Sequence, residues 1–356
     1  MRASGLIVVL LMTLLSLTLT LAQQTSENSA RLQEYLRNYP AADADGDGVL
    51  TMEEAQAHRQ RRQEALQARQ EFEAGRPDPD SADLAYGPFE RNVLDLWLAQ
   101  APEGAEGPRP LAVYIHGGGW VGGDKSGIGR RDLEALLAAG ISVAAINYRY
   151  STQAPFPAPM TDAGRALQFL RYHAAEHDLD PTRVGAWGGS AGACTSMWLA
   201  FHDDLADPNA EDPVLRESSR LTCIAPVAGP TTLERDVAQE WLGASITRHP
   251  ALMPMFGVED VSGFDDPAVQ ALMAEASPIN QLGPEDDVPT YARYGLPNTQ
   301  LDEDATPSQV AHHPRYGVHL KQRMDELGIE CVLIYPDYDS GDPYGSLVEF
   351  FKAKLL

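Results

Sequence analysis

Gly188-Gly189-Ser190-Ala191-Gly192 restricts the fold of this 356-residue chain more than any other stretch. It follows the apolar run Val184–Trp187 and leads into Ala191–Phe201, so it reads as a sharp turn from a buried strand into a helix. Glycines on both sides of a serine relieve the clashes that side chains would make in such a turn, and they leave the hydroxyl at its apex. Upstream, the continuously apolar Leu111–Ile115 runs into His116-Gly117-Gly118-Gly119-Trp120. One Gly-x-Ser-x-Gly string occurs by chance. A strand with a glycine-rich loop, then a strand, elbow and helix about seventy residues later, leaves few architectures open.

The rest of the chain agrees with that pattern. From about Tyr86, short apolar runs alternate with amphipathic stretches, which predicts a mainly parallel sheet flanked by helices. Val93–Leu98 alternates as an early antiparallel strand would. Ile141–Asn147, Thr222–Ala228, Thr290–Tyr294 and Cys331–Tyr335 read as further strands. Asp132–Ala139, Met160–His177, Gln309–Leu327 and Pro343–Lys354 read as helices. The domain is expected over residues 87–356, with an insertion at about 230–289 that supplies a lid or substrate walls.

Tyr114-Ile115-His116-Gly117-Gly118-Gly119-Trp120, Asn147-Tyr148-Arg149 and Gly188-Gly189-Ser190-Ala191-Gly192 together resemble the esterase branch of the α/β-hydrolases, which includes hormone-sensitive-lipase-like and feruloyl-esterase-like enzymes. The resemblance covers roughly residues 90–335. It implies an α/β-hydrolase fold and hydrolysis of carboxylic esters through an acyl-serine intermediate, with no cofactor in the chemistry. Ser190 takes the nucleophile's position, and the backbone N–H groups of Gly118, Gly119 and Ala191 take those of the oxyanion hole. His116 is expected to hydrogen-bond the glycine loop rather than to serve as a base. The implied substrate is a small-molecule or glycan-linked ester.

Two positions depart from that family. Its acid follows the penultimate strand, where this chain has Gly295-Leu296-Pro297-Asn298, with Asp302 and Asp304 a little downstream. Its histidine follows the last strand, where this chain reads Tyr335-Pro336-Asp337-Tyr338-Asp339-Ser340-Gly341; the last histidine of all is His319. A serine hydroxyl is a weak nucleophile at neutral pH without an adjacent base. The histidines left to supply one are His312 and His313, next to Pro314, with Asp302 or Asp304 as orienting acid, and His249 in the insertion. The alternative is a degenerate hydrolase that keeps its pocket as a binding module. A calcium-dependent scaffold is a third reading, resting on the N-terminal loop alone.

That loop is Asp43-Ala44-Asp45-Gly46-Asp47-Gly48-Val49-Leu50-Thr51-Met52-Glu53-Glu54. It fills the EF-hand template: carboxylates of Asp43, Asp45 and Asp47, the Val49 carbonyl, Thr51 at the ninth position, Glu54 as bidentate closure, and Gly48 at the sharp turn. Ala30–Tyr39 and Met52–Gly75 read as the entering and exiting helices, giving a small EF-hand segment over residues 28–75 with a structural calcium ion. EF-hand loops usually pair, and this one stands alone. Residues 76–86, rich in Pro and Asp, are expected to be a linker.

Arg2, the apolar Leu6–Leu21 and the small residues around Ala22 read as a signal peptide over residues 1–22, hence an exported protein with no membrane span in its mature form. A formal charge of −24 argues against nucleic acid as a partner. Cys194, Cys223 and Cys331 have no metal-ligand spacing and are expected to be buried thiols with no structural disulfide.

Overall fold

The computed structural model describes residues 24–101, 107–302 and 304–356, so the expected signal peptide lies outside the described residues. The chain divides into two units, one ending at Arg76 and one spanning Pro77–Leu356.

In the first unit, helices α1 (Ala30–Asn38) and α2 (Met52–Glu73) flank the acidic loop. Leu32, Ala42, Leu50 and Ala55 form its small core, with Tyr35, Leu36, Tyr39 and Met52 packed around it. Thr51 starts α2 through a capping box: its hydroxyl accepts from the Glu54 N–H, and the Glu54 carboxylate accepts from the Thr51 N–H. The backbone of Leu50 is paired locally. Its N–H donates to Ser26 Oγ at 2.9 Å, and its carbonyl accepts from the Ser26 N–H at 2.8 Å. Thr25 and Thr51 form an antiparallel bridge beside them. The chain's own N-terminal segment therefore satisfies the loop's backbone groups.

The second unit is built on eight strands: β1 (Ser81–Ala85), β2 (Val93–Trp97), β3 (Arg109–Ile115), β4 (Ser142–Ile146), β5 (Leu179–Gly189), β6 (Cys223–Val227), β7 (Thr290–Arg293) and β8 (Cys331–Ile334). They lie in the order β1-β2-β4-β3-β5-β6-β7-β8, with β1/β2 and β2/β4 antiparallel and the remaining pairs parallel. The alternation along each strand divides the core into two layers. Leu111, Val113 and Ile115 face the layer with α4 (Ala158–Tyr172) and α5 (Ala191–Phe201). Ala112, Val143 and Trp187 face α3 (Arg130–Ala138) and the C-terminal helix, Leu347–Leu355.

The insertion carries α6 (Arg235–Leu242), α7 (Leu252–Met255), α8 (Pro267–Glu275) and α9 (Pro278–Gln281). Then come α10 (Pro307–Ala311), α11 (Arg315–Leu327) and, as α12, the C-terminal helix. Among the described residues, no helix is long and apolar enough to cross a membrane. Cys194, Cys223 and Cys331 are buried free thiols.

Three sequence expectations are corrected. Residues 76–86 are not simply a linker, because Ser81–Ala85 forms edge strand β1, paired with Val93–Leu96, and the second unit begins at Pro77 rather than 87. The helix expected over Met160–His177 ends at Tyr172 and gives way to a 3-10 turn over Ala174–His177. The helix expected over Gln309–Leu327 is two helices, α10 and α11, interrupted at His312-His313-Pro314. Proline has no N–H to donate, and its ring collides with the carbonyl four residues back, so a helix does not run smoothly through it.

Candidate active site

Ser190 caps α5 at φ 55 and ψ −118, a region that residues with side chains rarely adopt. The tertiary structure holds it there: the Ser190 N–H donates to the Val227 carbonyl at the end of β6, at 2.9 Å. The flanking glycines are required by close approach. A Cβ on Gly192 would sit 2.0 Å from the Ile115 carbonyl oxygen, and one on Gly188 would sit 2.2 Å from the same atom. The elbow thus packs against the end of β3, from which the glycine loop departs.

In that loop Gly118 has φ +104, and a Cβ there would meet the Gly122 carbonyl at 2.3 Å. Among the described residues, no backbone acceptor pairs with the amides of Gly118 and Gly119. The Ala191 amide lies in the first turn of α5, where N–H groups have no partner within the helix and its dipole is positive. These are the donors an oxyanion needs.

The motif residues around the loop explain its rigidity. His116 Nδ1 bonds the Gly117 carbonyl at 2.7 Å, and its Nε2 lies 3.3 Å from the Arg91 guanidinium. Burial pushes His116 down to about 4, so it is a neutral structural ring stacked on Tyr148. Tyr148 donates its hydroxyl to the His116 carbonyl, Asn147 donates to Asp124, and Arg149 pairs with the buried Asp162. Trp120 Nε1 donates to Thr195 Oγ1 at 3.0 Å and ties the loop to α5. Arg91, which the sequence does not single out, donates to the carbonyls of Tyr148 and Gly123.

The histidine comes from between β7 and β8. His312, the residue that ends α10, places Nε2 at 2.8 Å from Ser190 Oγ. Its Nδ1 lies 3.1 Å from Ser308 Oγ, one helical turn earlier, and its N–H donates to the Ser308 carbonyl. Burial, and then the neighbouring His249, hold His312 below the ordinary imidazole value, which keeps the ring neutral and able to take a proton.

The other candidates are located elsewhere, and two are corrected. His313 is 2 % exposed; its Nε2 donates to the Thr299 carbonyl at 2.8 Å and its Nδ1 accepts from the Arg315 N–H. With both nitrogens committed, His313 is a structural ring, because consecutive residues at a helix end point in different directions. Asp302 and Asp304 are exposed, and among the described residues neither bonds His312, so the orienting acid expected at Asp302 is not seen. Asn298 does not bond His312 either; among the described residues its buried Oδ1 has no partner. The turn after β8, Tyr335–Gly341, brings no imidazole.

The elbow opens onto a small, largely apolar cleft lined by Gly119, Trp120, Ala191 and Ala311 and by Pro230, Leu233, Ile246, His249 and Leu252. Pro230 to Leu252 lie in the insertion, so it supplies most of one wall.

In the first unit, ligand atoms of Asp43, Asp45 and Asp47 lie within 4.8 Å of one another. The sharp turn has Gly46 at φ +73 and Gly48 at φ +84. Asp43 accepts from the Gly46 and Gly48 amides, Asp47 accepts from the Val49 amide, and Glu54 reaches across the loop to the Ala44 amide. Three carboxylates this close, with a fourth at the helix start, form an oxygen-rich donor set of the kind that hard cations accept.

The BD-FAE family model matches residues 94–312, more than half of the chain. A curated relative, "Probable carboxylic ester hydrolase LipM" of Mycobacterium tuberculosis, is 27% identical over 60% of this chain and 47% of its own length. Carboxylesterase NlhH of the same species is 30% identical over 49% of this chain and 58% of its own. The chain thus spans about half the length of these relatives. Among solved structures, an acetyl ester-xyloside bifunctional hydrolase from Caldicellulosiruptor lactoaceticus superposes with a TM-score of 0.55, at 20% identity, over 73% of this chain and 87% of that one. At that identity the likeness is one of fold.

Proposed function

The chain belongs to the BD-FAE family, and from that premise we propose that it hydrolyses carboxylic esters through an acyl intermediate on Ser190. The observation that carries the reading is the 2.8 Å contact between His312 Nε2 and Ser190 Oγ. The chemistry follows from that geometry. His312 removes the Ser190 proton as Oγ attacks the ester carbonyl, and the amides of Gly118, Gly119 and Ala191 receive the negative oxygen. Collapse expels the alkoxide, which takes its proton from the imidazolium. Water then enters, gives a proton to His312, and releases the acid while Ser190 Oγ recovers its hydrogen. Small-molecule or glycan-linked esters remain the proposed substrates, and the narrow apolar cleft favours a short acyl chain.

A fluorophosphonate probe tests this directly. Labelling is expected for the native protein and for His313→Ala, and its loss for Ser190→Ala and His312→Ala. Absence of labelling in the native protein, together with no turnover of short-chain aryl esters, would favour the binding-module reading, which draws on the hydroxyl, rather than a carboxylate, found at His312 Nδ1 among the described residues.

The N-terminal unit is read as a calcium site held by Asp43, Asp45, Asp47, the Val49 carbonyl, Thr51 and Glu54, with the ion in a structural role. The convergence of three carboxylates supports it. Calorimetric titration should give one site in the native protein and none in Asp43→Ala or Glu54→Ala; identical titrations for all three would remove the site. Export through residues 1–22 is proposed on the sequence pattern alone, and N-terminal sequencing of the secreted protein checks it.

A further inference from the structure

We propose that Ser308, through its neutral hydroxyl, is the positioning residue for His312 and stands where related hydrolases use a carboxylate. The inference rests on the reading of Ser190 as nucleophile and His312 as its base.

The geometry is local to one helical turn. Thr306 opens α10 with a capping box, its hydroxyl accepting from the Gln309 N–H while the Gln309 side chain accepts from the Thr306 N–H. Pro307 follows at the first helical position, which suits its fixed φ. Four residues after Ser308 the helix ends at His312. Ser308 grips that residue twice: its carbonyl accepts the His312 N–H at 3.0 Å, and its Oγ lies 3.1 Å from Nδ1. Residues four apart in a helix share a face, so no other loop is needed to bring the pair together.

The tautomer follows from the same contacts. To receive the Ser190 proton, Nε2 must present its lone pair, which leaves the ring hydrogen on Nδ1, where Ser308 Oγ accepts it. After proton transfer both nitrogens carry hydrogen, and Ser308 still accepts from Nδ1. A hydroxyl therefore performs the orienting half of an acid's task. It cannot perform the other half, because it carries no charge to balance the imidazolium.

The surroundings agree. Among the described residues, His249, from the insertion, is the titratable neighbour that acts on His312 besides burial, and it acts to lower the ring's affinity for a proton. Asp302 and Asp304 are exposed, and Asn298 is neutral. Among the described residues, the orienting group thus sits on the base's own helix.

Three variants in the full-length protein test this, read in two ways. Ser308→Ala should lower kcat for an aryl ester by roughly tenfold with KM little changed, as expected for loss of one hydrogen bond that holds the base. Ser308→Thr should retain most of the native kcat. Ser308→Asp should move the acidic limb of the kcat/KM profile upward by about one pH unit or somewhat less, since it adds a partly solvated charge beside Nδ1. Independently of turnover, nitrogen NMR of the His312 ring should show hydrogen on Nδ1 in the native protein, a mixed tautomer in Ser308→Ala and a higher titration midpoint in Ser308→Asp. A Ser308→Ala enzyme with native kcat, pH limb and ring tautomer would overturn the assignment. So would a kcat loss in Asp302→Asn or Asp304→Asn that Ser308→Ala does not share. A protein without turnover whose His312 ring still responds to Ser308 would refute the esterase reading while leaving the positioning role intact.

Discussion

At the scale of single residues, side-chain direction decides which imidazole reaches Ser190. His312 and His313 are adjacent, yet one ring contacts Ser190 and the other is locked between the Thr299 carbonyl and the Arg315 amide. Replacing His312 by Ala should lower kcat/KM by roughly a hundred- to ten-thousandfold, the range spanned by a general base, while His313→Ala should act mainly on stability. Steady-state kinetics beside a urea titration separates the two. The pH dependence follows from the direction of the His312 shift. Activity requires the neutral ring, so kcat/KM should rise with pH and reach half its maximum below about 6.5, the ordinary imidazole value. An inflection well above that value would mean that a carboxylate reaches the ring after all. His116 gives a matching statement about stability. It is neutral in the fold down to about 4, whereas the unfolded chain protonates near 6.5. Its contribution is therefore fully present above about 6.5 and is lost as pH falls towards about 4, by on the order of 3 kcal/mol. Urea titrations at stepped pH measure the slope.

At the scale of elements, the elbow and the break between α10 and α11 matter most. The elbow exists because β5, β3 and α5 meet with no room for a Cβ at Gly188 or Gly192. Gly192→Ala should cost several kcal/mol or prevent folding, since the added carbon would overlap the backbone carbonyl of Ile115, which cannot move aside without disturbing β3. Circular dichroism and thermal melting report the outcome, and a variant with native stability would mean that the elbow relaxes more freely than its packing implies. The helix break is the converse case, an interruption that places a side chain against Ser190. Pro314 stops the helix just past His312 and His313. Pro314→Ala should leave the protein folded but lower kcat, because α10 and α11 gain a route to join and swing His312 away from Ser190. Unchanged turnover in that variant would show that packing alone fixes the break.

For the whole molecule, two units of unequal size are expected to respond to different variables. The first has a small core of Leu32, Ala42, Leu50 and Ala55, so its stability should depend on whatever fills the acidic loop. With calcium at about one hundred times its dissociation constant, the gain would be about 2.7 kcal/mol. Hydrogen exchange should then slow in residues 30–73 and stay unchanged across the eight strands. Equal protection with and without calcium would argue against a bound ion.

Much of this architecture is legible in the sequence because its signals are local. The elbow glycines, the His116–Trp120 loop and the alternation of apolar runs each state a backbone requirement that few neighbouring residues satisfy. The edge strand Ser81–Ala85 is not legible, since its partly exposed residues lack an apolar pattern and only pairing with β2 makes it a strand. The sequence alone determined the fold and the place of the Ser190 elbow against its glycine loop. It offered His312, His313 and His249 as partners for Ser190, and Asp302 or Asp304 to orient one of them. Only the tertiary structure set His312, and not its neighbour, against Ser190 and brought Ser308 to its ring. That contact depends on where a broken helix points its last residue, a direction set by Pro314 and by packing between residues 122 positions apart in the chain.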